Sequence, residues 1–108
     1  MIATTETSPV FSLVDRIEYS KCSVVSQQIT KNKSGNITLF AFDAGQQLSE
    51  HSAPFDAVVE VVDGTAEIHI AGKPYQVHAG EMIILPANIP HAVYAPMAFK
   101  MLLIMIRG

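Results

Sequence analysis

The sequence has no tryptophan and a single cysteine, Cys22. A lone thiol closes no disulfide within the chain, so nothing in it asks for an oxidising compartment, and a reducing cytoplasm is the expected location. Charged residues make up only 16% of the chain, and no run of lysine and arginine breaks the net charge of -3. Neither a nucleic acid nor an anionic membrane surface therefore finds a basic patch to bind. Long hydrophobic runs are also lacking. The most apolar stretch, residues 99–106, contains Lys100 and is much shorter than the ~20 residues that cross a bilayer. The opening residues, Met1-Ile2-Ala3-Thr4-Thr5-Glu6-Thr7, lack the basic start and apolar core of a secretory leader, so none is expected. No long segment carries the 3.6-residue periodicity of an amphipathic helix.

What the chain does have is an apolar load. Hydrophobic residues are 49% of 108, a high share for one small domain with one core. Part of its surface is expected to face a second copy, which makes a homodimer the expected assembly. Residues 1–9, rich in Thr, Ser and Glu, have little to bury and are expected to be flexible, leaving 10–108 as the folded domain. Val10 to Tyr19 fits either a short helical turn or an irregular strand. From there on, β-branched and aromatic runs alternate with turn signals. Strands are expected near 23–30, 36–42, 56–62, 66–70, 73–77, 82–85, 92–94 and 99–106. A polar loop is expected over 31–35, with turns at Asp43-Ala44-Gly45, Asp63-Gly64 and Ala71-Gly72. Pro74 suits the start of a strand. The last run is apolar on both faces except at Lys100, the pattern of a strand that is central or lies at a subunit contact. Many short strands and no long helix argue for an all-β sandwich or barrel.

Two stretches carry more than fold class. In the first, Gly45 is followed by His51 and, beyond Ala53 and Ala57, by Gly64; in the second, Gly80 is followed by Pro86, Asn88, His91 and Ala95. Together they resemble the two motifs of the cupin family, G-x5-H-x-H-x3-E-x6-G and G-x5-P-x-G-x2-H-x3-N. The glycines and the proline turn corners that a closed sheet needs. The second histidine and the glutamate of the first motif are replaced by Ala53 and Ala57. In the second motif Asn88, which also tolerates a left-handed backbone, stands for glycine, and Ala95 stands for asparagine.

The resemblance implies a single-domain, all-β jelly roll, or double-stranded β-helix, with its site inside the barrel. It also implies a divalent transition metal, zinc, nickel, iron or manganese, as the candidate cofactor. Of the family's three histidines and one glutamate, only His51 and His91 remain as candidate metal ligands. Asp56 neighbours the lost carboxylate, but strand alternation turns it away unless a bulge near Pro54 brings it in. Ala53, Ala57, Val59, Val61, Phe99 and Met101 are the expected pocket wall, by position and parity. His69 and Glu50 are expected to face outward, and His78 to lie in a loop. Glu60 fits an outer face or a subunit contact, and Cys22, without a histidine partner, is not a nucleophile. Alanines in place of ligands widen and dry the cavity, so the expected partner is a small, partly apolar molecule. Three functions stay open: an enzyme with a depleted metal site, a metal-free metabolite sensor or carrier, and a partner-binding module with a vestigial pocket.

Overall fold

The computed structural model describes residues 9–107. The expected flexible segment lies outside them except for Pro9, which is exposed. Between Val10 and Tyr19 the helical alternative holds: α1 (Leu13–Arg16) is one turn long. Nine strands follow: β1 (Val24–Asn32), β2 (Gly35–Phe42), β3 (Gln47–His51), β4 (Ala57–Asp63), β5 (Thr65–Ile70), β6 (Lys73–His78), β7 (Met82–Leu85), β8 (His91–Tyr94) and β9 (Phe99–Ile106). They form a five-stranded sheet in the order β1-β2-β9-β4-β7 and a four-stranded sheet in the order β3-β8-β5-β6. Every neighbouring pair is antiparallel. The architecture is the double-sheet jelly roll. No described helix is long and apolar enough to cross a membrane.

Two sequence expectations need correction, and one strand has no counterpart among the expected ones. The polar loop over 31–35 shrinks to Lys33-Ser34, because β1 runs on to Asn32 and β2 already starts at Gly35. The Asn32 side-chain oxygen accepts the Ser34 N–H at 2.8 Å, and this local turn lets the hairpin close tightly. His78 is the last residue of β6 rather than a loop residue, and it is exposed, with its Nδ1 3.0 Å from Thr65 Oγ1. The strand without a counterpart is β3, which carries no β-branched run. It is a short edge strand whose only apolar residue is Leu48, and its pairing with β8 supplies what local preference does not.

Direct pairing partners share a face, so the register fixes which side chains meet. In the five-stranded sheet, Phe42 pairs with Phe99, Val61 with Met101 and Val59 with Leu103. These side chains point toward the other sheet and meet Ala66, Ile68, Val77 and Val93 in the main core. Phe42 and Phe99 stack there with ring centroids 4.6 Å apart. The opposite face of the same sheet buries a second cluster, Leu39, Ala41 and Leu102, under Ile17 and Leu13 from the α1 segment. As expected from its two-sided apolarity, β9 is a central strand, between β2 and β4. The chain passes from one sheet to the other at Gly64 (φ +75°), where an added Cβ would lie 2.4 Å from the Ala98 carbonyl oxygen. Both the conformation and the space demand glycine at that crossing.

Candidate functional site

His51 ends β3 and His91 begins β8, and the two residues pair across the ladder of the four-stranded sheet. Val93 follows His91 by two residues and shares its inward face, as alternation requires. On β3 the spacing is three: Leu48 and His51 would face opposite ways in a regular strand. A register shift between them turns both inward. The rings therefore converge edge to face, with centroids 4.3 Å apart at 75° and Nε2 atoms 3.1 Å apart. His51 is exposed and His91 only 5% exposed, so the pair leads from the surface into the protein.

The partners assign the protons. The Ser49 carbonyl, 2.8 Å from His51 Nδ1, can only accept, so that nitrogen carries the hydrogen. A neutral His51 then presents a bare Nε2, and His91 Nε2–H donates to it. His91 Nδ1 is buried without a hydrogen bond among the described residues. Burial, and after it the neighbouring His51 imidazole, holds the His91 pKa below the ordinary histidine range. A weaker interaction with the Ile89 backbone, short of hydrogen-bond geometry, pulls the other way.

The pair opens on a cavity of about 120 Å³ between the sheets. Of the residues expected as its wall, Ala53, Ala57, Val59 and Met101 line it. Val61 and Phe99 do not; both are fully buried in the main core. They have the inward parity, but they sit farther along the sheet, where Phe42 stacks on Phe99 and fills the space. Sequence reasoning missed Leu48, Phe55, Leu85, Val93, Leu103 and Met105, which complete the lining. Leu103 and Met105 could have been found by extending the parity of Met101 along β9; Phe55, in the loop before β4, carries no such signal. Among the described residues, every lining side chain besides the two imidazoles is apolar.

Asp56 stays outside, as alternation predicts. Its Oδ1 accepts the Ala87 N–H at 2.8 Å and braces the loop that carries Pro86 and Asn88. Asn88 has φ +65°, the left-handed conformation expected for the residue that replaces a glycine, and its N–H donates to the Ala53 carbonyl at 2.7 Å. This bond ties the approach to His91 onto the segment that follows His51. His69 is outward-facing, with its Nε2 2.6 Å from Glu67 Oε2, and Glu50 and Cys22 are exposed. Glu60 is half-buried opposite Met82 on the outer face.

The donor set can be compared with what a metal needs. Two imidazole ligands at about 2.0–2.1 Å on one tetrahedral ion stand roughly 3.3 Å apart, close to the separation of the two Nε2 atoms. A catalytic zinc, however, takes about three protein ligands and a structural one four. Among the described residues no third histidine, cysteine or carboxylate joins the pair, and the positions where ligands would stand are Ala53 and Ala57. The residues present do not fit an ion held by the protein alone.

Comparison with known proteins agrees with this architecture. A family model described as Cupin domain matches residues 38–106. A conserved protein of unknown function from Streptococcus pyogenes is 37% identical over 94% of this chain and 89% of its own, with a TM-score of 0.89. A Cupin 2 conserved barrel domain protein from Leptotrichia buccalis is 41% identical over 89% of this chain, with a TM-score of 0.86; the match spans 47% of that protein. A cupin superfamily protein from Desulfitobacterium hafniense reaches a TM-score of 0.88 at 25% identity, covering 94% of this chain and 93% of that one. A search of curated proteins finds no significant match. With a jelly roll of two sheets, both motif histidines at one cavity and a family match over more than half its length, the chain belongs to the cupin family.

Proposed function

We propose that the protein binds a small, largely apolar molecule between its sheets, recognises it through His51 and His91, and does so without a resident metal ion. The observation that carries this reading is the meeting of the two Nε2 atoms, 3.1 Å apart, at a cavity whose other described lining side chains are all apolar. Such a site has a few convergent polar groups on an apolar wall, the usual composition of a ligand pocket. Binding without turnover is the work of a sensor or carrier. Cupin membership by itself selects no reaction.

A second reading is favoured by the Nε2 separation: an ion held by both imidazoles and completed by the ligand or water. Elemental analysis of protein purified without a histidine tag separates the two. Metal well below one equivalent, together with thermal stabilisation by a small molecule, is the expected result. Stoichiometric metal that is lost in His91→Ala overturns the metal-free reading. Absence of both metal and any stabilising molecule overturns the pocket itself and favours the partner-binding alternative. The working unit in this reading is a homodimer in a reducing cytoplasm, supported by an apolar row on the outer face of the five-stranded sheet and by the unpaired Cys22.

A further inference from the structure

We infer that the molecule this pocket takes is a small apolar alcohol or phenol: one ring or branched chain carrying a single hydroxyl, seated on the His51–His91 pair. The inference rests on the pocket reading above and adds the chemical class of its ligand.

Size and polarity set the body of the ligand. An apolar cavity of about 150 Å³ accepts benzene and stays dry otherwise. This one is about 120 Å³, and the two thioethers in its wall, Met101 and Met105, belong to the side chains that adapt most readily to a guest. A six-membered ring or a branched chain of similar size is what such a space holds. Sugars and polyols fail on polarity. Each further hydroxyl would be buried against alanine, leucine or methionine without a partner, a penalty that makes apolar sites reject polyhydroxylated guests.

The hydrogen-bond pattern sets the head group. Because the Ser49 carbonyl accepts from His51 Nδ1–H, the neutral pair holds one Nε2–H, on His91, and one bare Nε2, on His51, joined to each other until a guest comes between them. A hydroxyl is both acceptor and donor, so a single oxygen can replace the direct bond between the imidazoles, accepting from His91 and donating to His51. A carboxylate only accepts, so it draws the His91 N–H away from His51 and gives His51 Nε2 no donor in return; an ammonium group only donates, so it takes His51 Nε2 and gives the His91 N–H no acceptor in return. Neither finds an opposite charge there, since among the described residues no Asp, Glu, Lys or Arg lines the cavity. An unsubstituted hydrocarbon fills the space but gains nothing from the pair. A hydroxyl exchanges the one bond between the imidazoles for two, which a hydrocarbon cannot do.

The test is an NMR titration of the wild-type protein with phenol, toluene, benzoate and glucose, following the methyl groups of Met101 and Met105. Phenol is expected to bind at least tenfold more tightly than toluene or benzoate, with glucose leaving the methyls unmoved. In His51→Leu, phenol is expected to fall to the level of toluene while toluene still binds; His51 is exposed, so folding should survive. His91→Leu provides the same reading from the buried side. Equal binding of phenol and toluene, or tighter binding of benzoate or glucose, overturns the hydroxyl assignment and leaves the pocket standing. If no compound perturbs the two methionines, the pocket reading falls and this inference falls with it.

Discussion

At Asn88 a single side chain holds a backbone that other L-residues resist. Its φ of +65° costs most of them about 1–2 kcal/mol, glycine nothing, and asparagine less than average. Asn88→Ala is therefore expected to lower stability by about 1 kcal/mol in urea denaturation, whereas Asn88→Gly should be close to neutral. If alanine is tolerated as well as glycine, the left-handed corner is not what this position requires. His91 sets a second prediction at the same scale. Its pKa is lowered in the fold, so between that value and the unfolded value near 6.5 the unfolded chain binds more protons. The contribution to stability is complete above about pH 6.5 and is lost as pH falls through the lowered pKa. Urea midpoints of the wild type between pH 5 and pH 8 should rise with pH more steeply than those of His91→Gln. Equal slopes would remove the case for a neutral, desolvated imidazole.

The crossing from β4 to β5 shows how one residue serves an element. Gly64 combines a positive φ with a backbone carbonyl where a Cβ would lie, so Gly64→Ala should cost more than about 1 kcal/mol and retain function only if Ala98 can move. Retention of full stability would mean that the two sheets join with more slack than their register suggests. The α1 segment depends on a different contact. Lys100 is only 8% exposed, donates from Nζ to the Val14 carbonyl and lies 4.9 Å from the Tyr19 ring centroid. Tyr19 in turn donates to Asp63, and burial first, then that carboxylate, pushes its hydroxyl pKa well above the usual tyrosine range. This contact fastens the chain over the second apolar cluster. Lys100→Ala is expected to accelerate hydrogen exchange at residues 13–19 while leaving β4 and β9 protected. Uniform acceleration throughout the protein would show that the lysine supports the whole sheet and not the segment.

For the whole molecule the open question is assembly. Ile84, Val58, Ile104 and Ile37 run in register across the outer face of the five-stranded sheet, and Ile84 and Met82 on the β7 edge are 56% and 58% exposed. An exposed apolar edge of this kind invites either aggregation or a partner. Sedimentation of the wild type at micromolar concentration is expected to give a dimer, and Ile84→Lys to shift it toward monomer. A monomer mass that does not change with concentration rejects the dimer.

The sequence by itself determined the framework. Short runs broken by Gly45, Gly64, Gly80 and Pro86 announced the sandwich, and the apolar pattern of residues 99–106 announced a central strand, because turn geometry and two-sided burial are local demands. Only the tertiary structure decided the site. Alternation reports which face a side chain is on but not how deep it lies, so Val61 and Phe99 share the parity of Val59 and Met101 and yet fill the core beside the cavity. Nor does any local pattern encode the register shift in β3 that turns both Leu48 and His51 inward. Two imidazoles forty residues apart meet because the β3–β8 pairing places them there, and such non-local pairing is a property of the packed sheets.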